Sequence, residues 1–443
     1  RGKPCQRPTA RVLRWRDGRD AASALVVGVF LWQAVVLRSS PAGVNWPELR
    51  GPERNGHAAP AAKPPLSWSE TNHVVWKTTI HDYGWSSPVV WEKQVWLTTA
   101  TVDGRQMFGV CVDADAGRLV HDVKVFDTPD PQHVASVNSY ASPTSAIEAG
   151  RVYVHYGTYG TACLDTRDGR ILWTRRDLNC DHHEGPGSSL MLDGDRLYFN
   201  VDGRDVQYVV ALDKATGRTV WKTDRSVDYS PFPSNCRKAF CTPIVIEAAG
   251  RRQLFSPGAK AMIAYDPESG AELWKARYNG WSVVPRPLFG HGLLYVITDF
   301  ERPELWAVRP DGRGDVTDSH VAWKVVKSMP ATASLLLIDD LLYMVNDQGF
   351  ALCLEARNGN EVWRERLSEK HSASPIYAGG RVYFFSENNL TTVIAPGREF
   401  RLLAKNELEG SVKATPAVTG NAFILRSKSH LYRLEERDAT AVR

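Results

Sequence analysis

The chain has 443 residues, of which 43% are hydrophobic and 23% are charged, an ordinary globular composition that fits two or three domains or one large repeat architecture. The net charge of +4 arises in the first 20 residues, where seven Lys/Arg and two Asp give +5, so the remainder sums to −1. Because a nucleic-acid-binding protein needs a basic face, this distribution argues against a nucleic-acid partner.

The basic start precedes a 17-residue apolar stretch, residues 21–37, which is followed by the small and polar residues RSSPAG. This order predicts a signal peptide over residues 1–42, with a cleavage site after Ala42. An uncleaved membrane anchor is the alternative, since the stretch is at the short limit for a span. No cysteine follows the stretch where a lipoprotein signal places one. We therefore expect an exported protein, periplasmic or extracellular, either free or anchored through residues 21–37.

A repeated hairpin dominates the rest of the chain. Its four copies are CLDTRDGRILW (163–173), ALDKATGRTVW (211–221), AYDPESGAELW (264–274) and CLEARNGNEVW (353–363). In each, an acid is followed by Gly four residues later and by Trp eight residues later. This spacing predicts a strand, a tight turn whose Gly takes positive φ, and a second strand bearing a large aromatic side chain. With Trp323, these Trp residues are 40 to 53 residues apart, as in propeller blades.

Two more strands precede each hairpin. Segments such as AGRVYV (149–154) predict a turn and a strand, and segments such as SPVV (87–90) predict a short inner strand. Inner strands are expected near residues 85, 140, 187, 241, 284, 333, 373 and 413. The sequence thus predicts an all-β, eight-bladed β-propeller of four-stranded blades over residues 73–436, closed by pairing of strand 73–80 with the last blade. Residues 43–72 are expected to pack on it, and residues 437–443 to form a tail.

The hairpins resemble the PQQ-like repeat of quinoprotein-type β-propellers, over about residues 45–436. The segments WPELRGPERNG, NSYASPT, GPGSS, AVRPDGRGDVTDSHVAW and TTVIAPGREF are similar to an exported bacterial branch of that family, whose members are mostly uncharacterised. The resemblance implies the fold, whereas function depends on the site. Three blades depart from the repeat and predict altered turns: blade one has His121 at the Trp position, blade five has VRPDGRG and blade seven has IAPGREF.

The stretch LNCDHHEGPGSS (178–189) lies between Trp173 and the third inner strand, so it is expected at the mouth of the central channel. Its His and Glu side chains either cap turns or form a polar binding patch with neighbouring loops. Adjacent residues rarely share one metal ion, and no metal site is predicted. Arg50 either plugs the channel or is a surface residue of a linker. The candidate binding residues are His182, His183, Glu184, Asp202, Arg204, Asp205, His133, Asn138, Tyr140 and Arg50.

The seven cysteines include three, in CVD, CLD and CLE, at positions where other repeats have Ala, which predicts small buried side chains. Cys236 and Cys241 are a candidate disulfide, with Cys180 as an alternative partner. Most of the 15 Trp are expected to pack between neighbouring outer strands. Trp85, Trp281 and Trp306 are out of register and are candidates either for a binding surface or for the core.

The favoured function is that of an exported, non-enzymatic binding or scaffold protein that uses one propeller face to bind a protein, peptide or glycan. The sequence has no convincing set of nucleophile, base and orienting group. The outer-membrane barrel-assembly lipoprotein is a similar scaffold built from related repeats.

Two enzymatic alternatives stay open. The resemblance implies a PQQ-dependent dehydrogenase with PQQ and calcium, an adjacent cysteine pair and a catalytic Asp, but the chain has no Cys-Cys dipeptide and no C-x-x-C-H haem motif. A hydrolase or lyase would use His182, His183 and Glu184, and a hydrolase would need an activated water.

Overall fold

The structure, a computed structural model, describes residues 45–367 and 369–436. The predicted signal peptide (1–42) and tail (437–443) lie outside the described residues. Apart from two 3-10 turns, Gly157–Tyr159 and Ser234–Cys236, the regular elements of the described part are strands. No helix in this part is long and apolar enough to span a membrane.

The described residues form 33 strands in eight sheets, here called blades 1 to 8 in chain order. Blade 1 contains Val89–Trp91, Gln94–Ala100, Gln106–Asp113 and Leu119–Asp127. Blade 2 contains Ala146–Glu148, Arg151–His155, Thr161–Asp165 and Ile171–Arg175. Blade 3 contains Met191–Asp193, Arg196–Asp202, Gln207–Asp213 and Thr219–Asp224. Blade 4 contains Ile244–Ala248, Arg251–Pro257, Ala261–Tyr265, Glu272–Arg277 and the added strand Gly314–Asp315.

The second half repeats this plan. Blade 5 contains Leu288–Gly290, Leu293–Ile297, Leu305–Val308 and Val321–Val325. Blade 6 contains Leu336–Ile338, Leu341–Val345, Phe350–Glu355 and Glu361–Arg366. Blade 7 contains Ile376–Ala378, Arg381–Phe385, Leu390–Ala395 and Arg401–Glu407. Blade 8 contains Ala417–Thr419, Ala422–Arg426, His430–Leu434 and, as its outer strand, Val74–Thr79.

The predicted eight-bladed propeller and its closure are therefore confirmed. Val74–Thr79 pairs antiparallel with His430–Leu434, with Lys77 opposite Tyr432. Joining the two ends of the propeller in one sheet leaves no open edge between the first and last blades. The inner strands begin several residues after the predicted positions, because each follows a Ser/Thr-containing loop, often with Pro, and Pro cannot donate a ladder hydrogen bond.

The repeated Trp packs across the blade boundary. Trp173 of blade 2 lies over the hairpin turn of blade 3, and a Cβ on Gly217 of that turn would fall 2.6 Å from its ring. Gly217 also has φ 70°, a conformation that favours glycine. The turn therefore requires glycine here for its backbone conformation and for the space that the Trp173 ring occupies. The same pairing joins Trp76 to Gly117 and Trp323 to Gly359.

Of the three departures from the repeat, those in blades 5 and 7 change the turn, whereas the prediction is wrong for blade 1, whose turn is regular, with Gly117 N donating to Asp113 O at 2.9 Å. His121 faces Cys111 and stacks on Trp96 at 5.6 Å. In blade 5, residues 309–320 replace the tight turn, and Gly314–Asp315 within them adds a parallel strand to the edge of blade 4. In blade 7, Phe400 packs edge-on against Trp363 of blade 6 at 5.4 Å.

Candidate functional site

The central channel is closed at one end by the N-terminal segment, residues 46–58. Its backbone pairs with the first strands of blades 1, 2 and 7: Trp46 exchanges hydrogen bonds with Val90, Ile147 N donates to Pro47 O, and Ala58 N donates to Tyr377 O. These strands lead away from the blade-to-blade connections. The other end, here called the connection face, carries those connections and the loops between second and third strands.

Arg50 is the centre of this closure. Its guanidinium donates to Pro375 O at 2.5 Å, Leu335 O at 2.7 Å and Asn55 O at 3.0 Å, and the residue is 2% exposed. Burial, and then the charge of Arg286, lower its pKa to about 9. Of the two predicted alternatives, Arg50 therefore lies buried in the closed end of the channel and is not a surface residue.

A second arginine anchors the segment to blade 5. Arg286 donates through Nη2 to Glu48 Oε2 at 3.0 Å and through Nη1 to Leu49 O at 2.5 Å. Glu48 Oε1 also accepts from Arg54 Nε at 2.7 Å. The buried carboxylate of Glu48 thus pairs with both Arg286 and Arg54, while Arg50 is held by carbonyl oxygens alone. The closed end of the channel carries an excess of positive charge.

A ring of hydroxyl groups surrounds the channel where the inner strands begin. The backbone N–H of one blade donates to the hydroxyl oxygen of the next, at 2.9 to 3.1 Å, in seven of the eight steps. The members of this hydroxyl ring are Ser87, Thr144, Ser189, Thr242, Ser334, Ser374 and Thr415. Blade 5 supplies Arg286 at the equivalent place. The ring satisfies buried N–H groups that would be costly unpaired.

The hydroxyl ring lines a cavity of ≈ 300 Å³ that opens on the connection face. Leu49 and Arg286 belong to its lining at the closed end. The apolar part of its lining includes Trp85, Val137, Phe240, Val284 and Phe300. The cavity therefore combines a polar interior with aromatic and aliphatic side chains.

Two ionic groups complete the lining. Lys413 Nζ donates to Val137 O at 3.0 Å and lies 3.9 Å from Glu387. Glu184 Oε2 lies 3.0 Å from Nζ of Lys238, a lysine that is 3% exposed. Burial lowers the pKa of Lys413. Glu184 is thus neutralised by a close neighbour, whereas the carboxylate nearest to Lys413, that of Glu387, lies at the outer limit of an ion pair.

The predicted His-His-Glu patch does not converge. His182 is buried, its Nε2 accepts from Thr158 N at 2.8 Å, and burial lowers its pKa to about 4. His183 has φ 64° and points elsewhere, with its ring 6.2 Å from that of His133. Of the three, only Glu184 lines the large cavity; His182 borders a separate space of ≈ 20 Å³.

The three candidates of the next loop, Asp202, Arg204 and Asp205, also do not form one patch. Asp202 is buried in a bidentate pair with Arg225, at 2.6 and 2.7 Å. Burial raises the pKa of Asp202, and the Arg225 charge opposes that shift. Arg204 instead pairs with Asp181 at 2.5 Å, and Asp205 Oδ1 accepts from the backbone N of Asp181. These side chains stabilise the connection and do not line the large cavity.

The preceding connection contributes one candidate to the cavity. Asn138 lines it, but both its donors are used, on Glu184 O at 2.8 Å and Pro186 O at 3.2 Å. Tyr140 is buried and donates to Gln132 O at 2.8 Å. His133 is exposed. Asn138 therefore holds the loop at the mouth of the cavity in place, whereas Tyr140 stabilises the connection through its bond to Gln132 O.

The predicted disulfide is not formed. Cys236 and Cys241 are both free, as are the other cysteines of the described residues. Cys241 is fully buried and its thiol donates to Pro285 O at 3.2 Å. Cys180 is likewise buried and free. Local spacing suggested a pair, but Cys241 faces blade 5, away from the turn that holds Cys236.

The out-of-register Trp residues differ in position. Trp85 lines the cavity. Trp306 is 5% exposed and lies in the core between blades 4 and 5, with Lys324 over its ring at 3.4 Å. Trp281 packs on Lys260 at 4.6 Å. Only Trp85 belongs to the cavity surface.

The most informative residues of the cavity were not among the candidates predicted from sequence. A signal for part of them was present, since four of the seven ring residues stand directly before a Pro in the SPVV-type segments, and Arg286 stands before Pro287 in the same register. Those segments indicate short strands, but nothing in them indicates which side chains face the channel. Arg286 and Glu48 are 238 residues apart, so no local pattern connects them.

These features define a class, the eight-bladed propellers of PQQ-like repeats. The model of the outer membrane protein assembly factor BamB family matches residues 67–223 and 205–442, and the chain belongs to that family. Comparison with curated protein sequences finds no match.

Two solved structures with TM-scores above 0.5 share the fold. The crystal structure of BamB from Moraxella catarrhalis is 12% identical, with a TM-score of 0.57 over 81% of this chain and 99% of that one. The computationally designed Ika8 protein is 12% identical, with a TM-score of 0.54 over 82% and 100%. The quinohemoprotein alcohol dehydrogenase from Comamonas testosteroni is 11% identical, with a TM-score of 0.44 over 89% and 81%. At these identities the likeness concerns the fold alone.

The cavity residues do not fit a calcium-bound quinone. Calcium needs six to eight oxygen ligands, mostly from carboxylates, carbonyls and amides. The only carboxylate side chain among the cavity residues of the described part is Glu184, and Lys238 neutralises it. The Asn138 amide is held by backbone groups. No group of three or more His, Cys, Asp or Glu in the described ranges is arranged to hold a metal ion.

Proposed function

We propose that this protein is an exported, non-enzymatic binding protein that docks a protein or peptide partner on the connection face, around the mouth of the cavity. The observation that carries the proposal is the asymmetry of the channel. The N-terminal segment closes one end, where Arg50 and Arg286 are buried, and the other end opens on a cavity of ≈ 300 Å³ with apolar side chains in its lining.

Exposed apolar groups on the connection face support this choice. Val137 is 55% exposed and Phe300 is 41% exposed, and both line the cavity. Exposed apolar and aromatic residues that border a concave site are typical of interaction surfaces. The family's description as an outer membrane protein assembly factor also supports a binding role and a location outside the cytoplasm.

The enzymatic alternatives have less support. A hydrolase or lyase needs a base within reach of a substrate, but His182 is buried and held by a backbone amide. The dehydrogenase alternative lacks calcium ligands in the cavity. The glycan alternative rests on Trp85 alone among the out-of-register Trp residues.

Photo-crosslinking tests the proposal. A photoreactive amino acid would be placed at Val137 or Phe300, and, as matched controls, at Leu119 (52% exposed) or Leu402 (47% exposed) on outer strands. We expect discrete protein adducts from the first pair and none from the second. Equal adducts from all four positions, or adducts from the outer strands alone, would refute docking on the connection face.

A further inference from the structure

The hydroxyl ring presents hydrogen-bond donors to the cavity. Each of its seven oxygens already accepts a backbone N–H from the preceding blade, and all seven residues line the cavity. A hydroxyl that accepts one bond still has its own hydrogen to donate. None of these seven hydroxyls donates to another group within the described part of the chain. The ring therefore offers a ligand several O–H donors that converge from different blades.

Apart from the ring hydroxyls, the side-chain acceptors of the same surface are already engaged. Glu184 is ion-paired with Lys238. The Oδ1 of Asn138 accepts from Ser139 N at 2.8 Å and from Ser142 Oγ at 2.5 Å. A sugar has hydroxyls that both donate and accept, so a sugar site needs free acceptors as well as donors. Each ring oxygen keeps one lone pair as well as its own hydrogen, so the ring can donate to a carboxylate, and it is the positive charge of the lining that favours a ligand that only accepts.

The charges of the lining agree with an anion. Lys413 is 14% exposed and lies 3.9 Å from Glu387, a carboxylate that also accepts from Ser372 Oγ and lies 3.4 Å from Lys370. At the closed end, Arg286 belongs to the lining but is paired with Glu48, so the uncompensated positive charge there is that of Arg50, which has no carboxylate partner. Positive charges around a low-dielectric cavity attract and retain an anion.

The apolar lining shows what must accompany the anion. Phe240, Val284, Phe300 and Trp85 line the cavity together with the hydroxyl ring. Burying an aliphatic side chain against such groups removes apolar surface from water and stabilises the complex. A ligand with a carboxylate head and an aliphatic body satisfies both parts of the surface.

We propose that the cavity binds the carboxyl terminus of a polypeptide whose last side chain is aliphatic, with the terminal carboxylate on the hydroxyl ring near Lys413. This inference rests on the proposed function and names the partner's chemistry. A small aliphatic acid carries the same carboxylate and apolar body, so the experiment separates the two sources.

Calorimetry on the full chain provides the test. The ligands are the peptide Ac-Gly-Ser-Val-Leu with a free carboxylate, the same peptide as the C-terminal carboxamide, hexanoate, and a neutral disaccharide. We expect the free acid to bind at least about tenfold more tightly than the carboxamide, since hydrogen bonds to a charged acceptor are stronger than those to a neutral one. Equal affinity of acid and amide, no binding of the acid, or tighter binding of the disaccharide would overturn the proposal. If hexanoate binds and the peptide acid does not, the cavity is a site for a small acid, and the proposal of a polypeptide carboxyl terminus is refuted.

Variants locate the site. Thr242→Val and Thr415→Val remove ring donors at constant shape, whereas Thr242→Ser and Thr415→Ser keep them. Lys413→Gln removes the charge, and Lys428→Gln removes an exposed lysine outside the cavity lining. We expect the two Thr→Val changes and Lys413→Gln to weaken binding of the free acid at least about fivefold, and the two Thr→Ser changes and Lys428→Gln to preserve it.

The fold of each variant is checked before its affinity is interpreted. Circular dichroism selects the variants that keep the wild-type fold, and Lys413→Gln remains a test of the site if a Thr→Val variant does not fold. Unchanged affinity in folded Thr→Val and Lys413→Gln variants would refute the site.

The two proposals fail differently. If the connection face docks a partner without using a carboxyl terminus, the crosslinks from Val137 and Phe300 persist in the Thr→Val variants while the calorimetry shows no acid binding. If the face docks nothing, the crosslinks are absent whatever the calorimetry shows.

Discussion

The carboxylate of Glu48 and the guanidinium of Arg286 form a buried ion pair, with Oε2 and Nη2 3.0 Å apart and side-chain exposures of 4% and 1%. The pair joins the N-terminal segment to the inner part of blade 5. The positive charge of Arg286 also acts on Arg50, whose pKa it lowers in addition to the larger effect of burial. Because Glu48 offsets the Arg286 charge, it is the group that makes two buried arginines tolerable at the closed end of the channel.

Removing Glu48 is expected to destabilise the protein. Glu48→Ala leaves Arg286 buried without its counter-ion, which costs about 3 to 5 kcal/mol for a broken buried pair. Urea denaturation measures the loss. The control is Glu53→Ala, an exposed acid of the same segment, which should change stability by less than about 0.5 kcal/mol. Similar midpoints for the two variants would show that the closure does not depend on the ion pair.

The contact between Trp173 and Gly217 predicts a large effect of one methyl group. Gly217→Ala combines a positive φ with a clash of 2.6 Å against the Trp173 ring. Gly194→Ala has a positive φ of 57° with no atom within 4 Å. We expect the strained backbone to lower the free energy of unfolding by about 1 to 2 kcal/mol in both variants. Overpacking should lower it by at least about 1 kcal/mol more in Gly217→Ala. Equal losses in thermal unfolding would contradict the packing role of the turn.

Buried histidines predict loss of stability in mild acid. Burial lowers the pKa of His182 from 6.5 to about 4 and that of His155 from 6.5 to about 3. Between those values and 6.5 the unfolded chain binds more protons, so the free energy of unfolding is fully retained above pH 6.5 and falls as the pH decreases toward 4. For His182 the loss reaches about 2 kcal/mol at pH 5.

A variant checks this pH dependence. His182→Gln keeps an acceptor for Thr158 N and removes the titrating ring, so its stability should fall less steeply between pH 6.5 and 4. His133→Gln changes an exposed histidine and should keep the wild-type slope. Parallel curves for wild type and His182→Gln would refute the assignment.

PQQ with calcium is expected to leave the melting temperature unchanged. The cavity lining supplies no ligand set for the cation, since Glu184 is paired with Lys238. Differential scanning fluorimetry with PQQ alone, calcium alone and both together measures this. A saturable shift that needs both additives, accompanied by dye-coupled alcohol oxidation, would restore the dehydrogenase alternative.

The fold was predictable because the same hairpin pattern occurs several times in the sequence. Each copy places an acid, a Gly and a Trp at fixed spacing, and the Gly217 turn under Trp173 shows why that spacing is needed. The closing strand was predictable because Val74–Thr79 carries a Trp without a blade before it. Independent copies of one pattern outweigh the ambiguity of any single strand.

The candidate site was less predictable, since neighbours in sequence do not share a side-chain direction. His182 and His183 are adjacent, but the positive φ of His183 turns its ring away. The pairing of Cys236 with Cys241 failed for a related reason, because the chain between them turns Cys241 into blade 5. The pairing of Glu48 with Arg286 depends on ring closure across 238 residues, which only the assembled propeller brings about.

The most direct test of partner docking on the connection face is quantitative co-purification. The tagged protein would be compared with Val137→Arg/Phe300→Arg on the connection face and with Leu119→Arg/Leu402→Arg on outer strands, two pairs of similar exposure. The proposal predicts that the partner captured by the wild type is lost from the first variant and retained by the second, with both variants folded. Retention by the first variant, or loss only from the second, would contradict it.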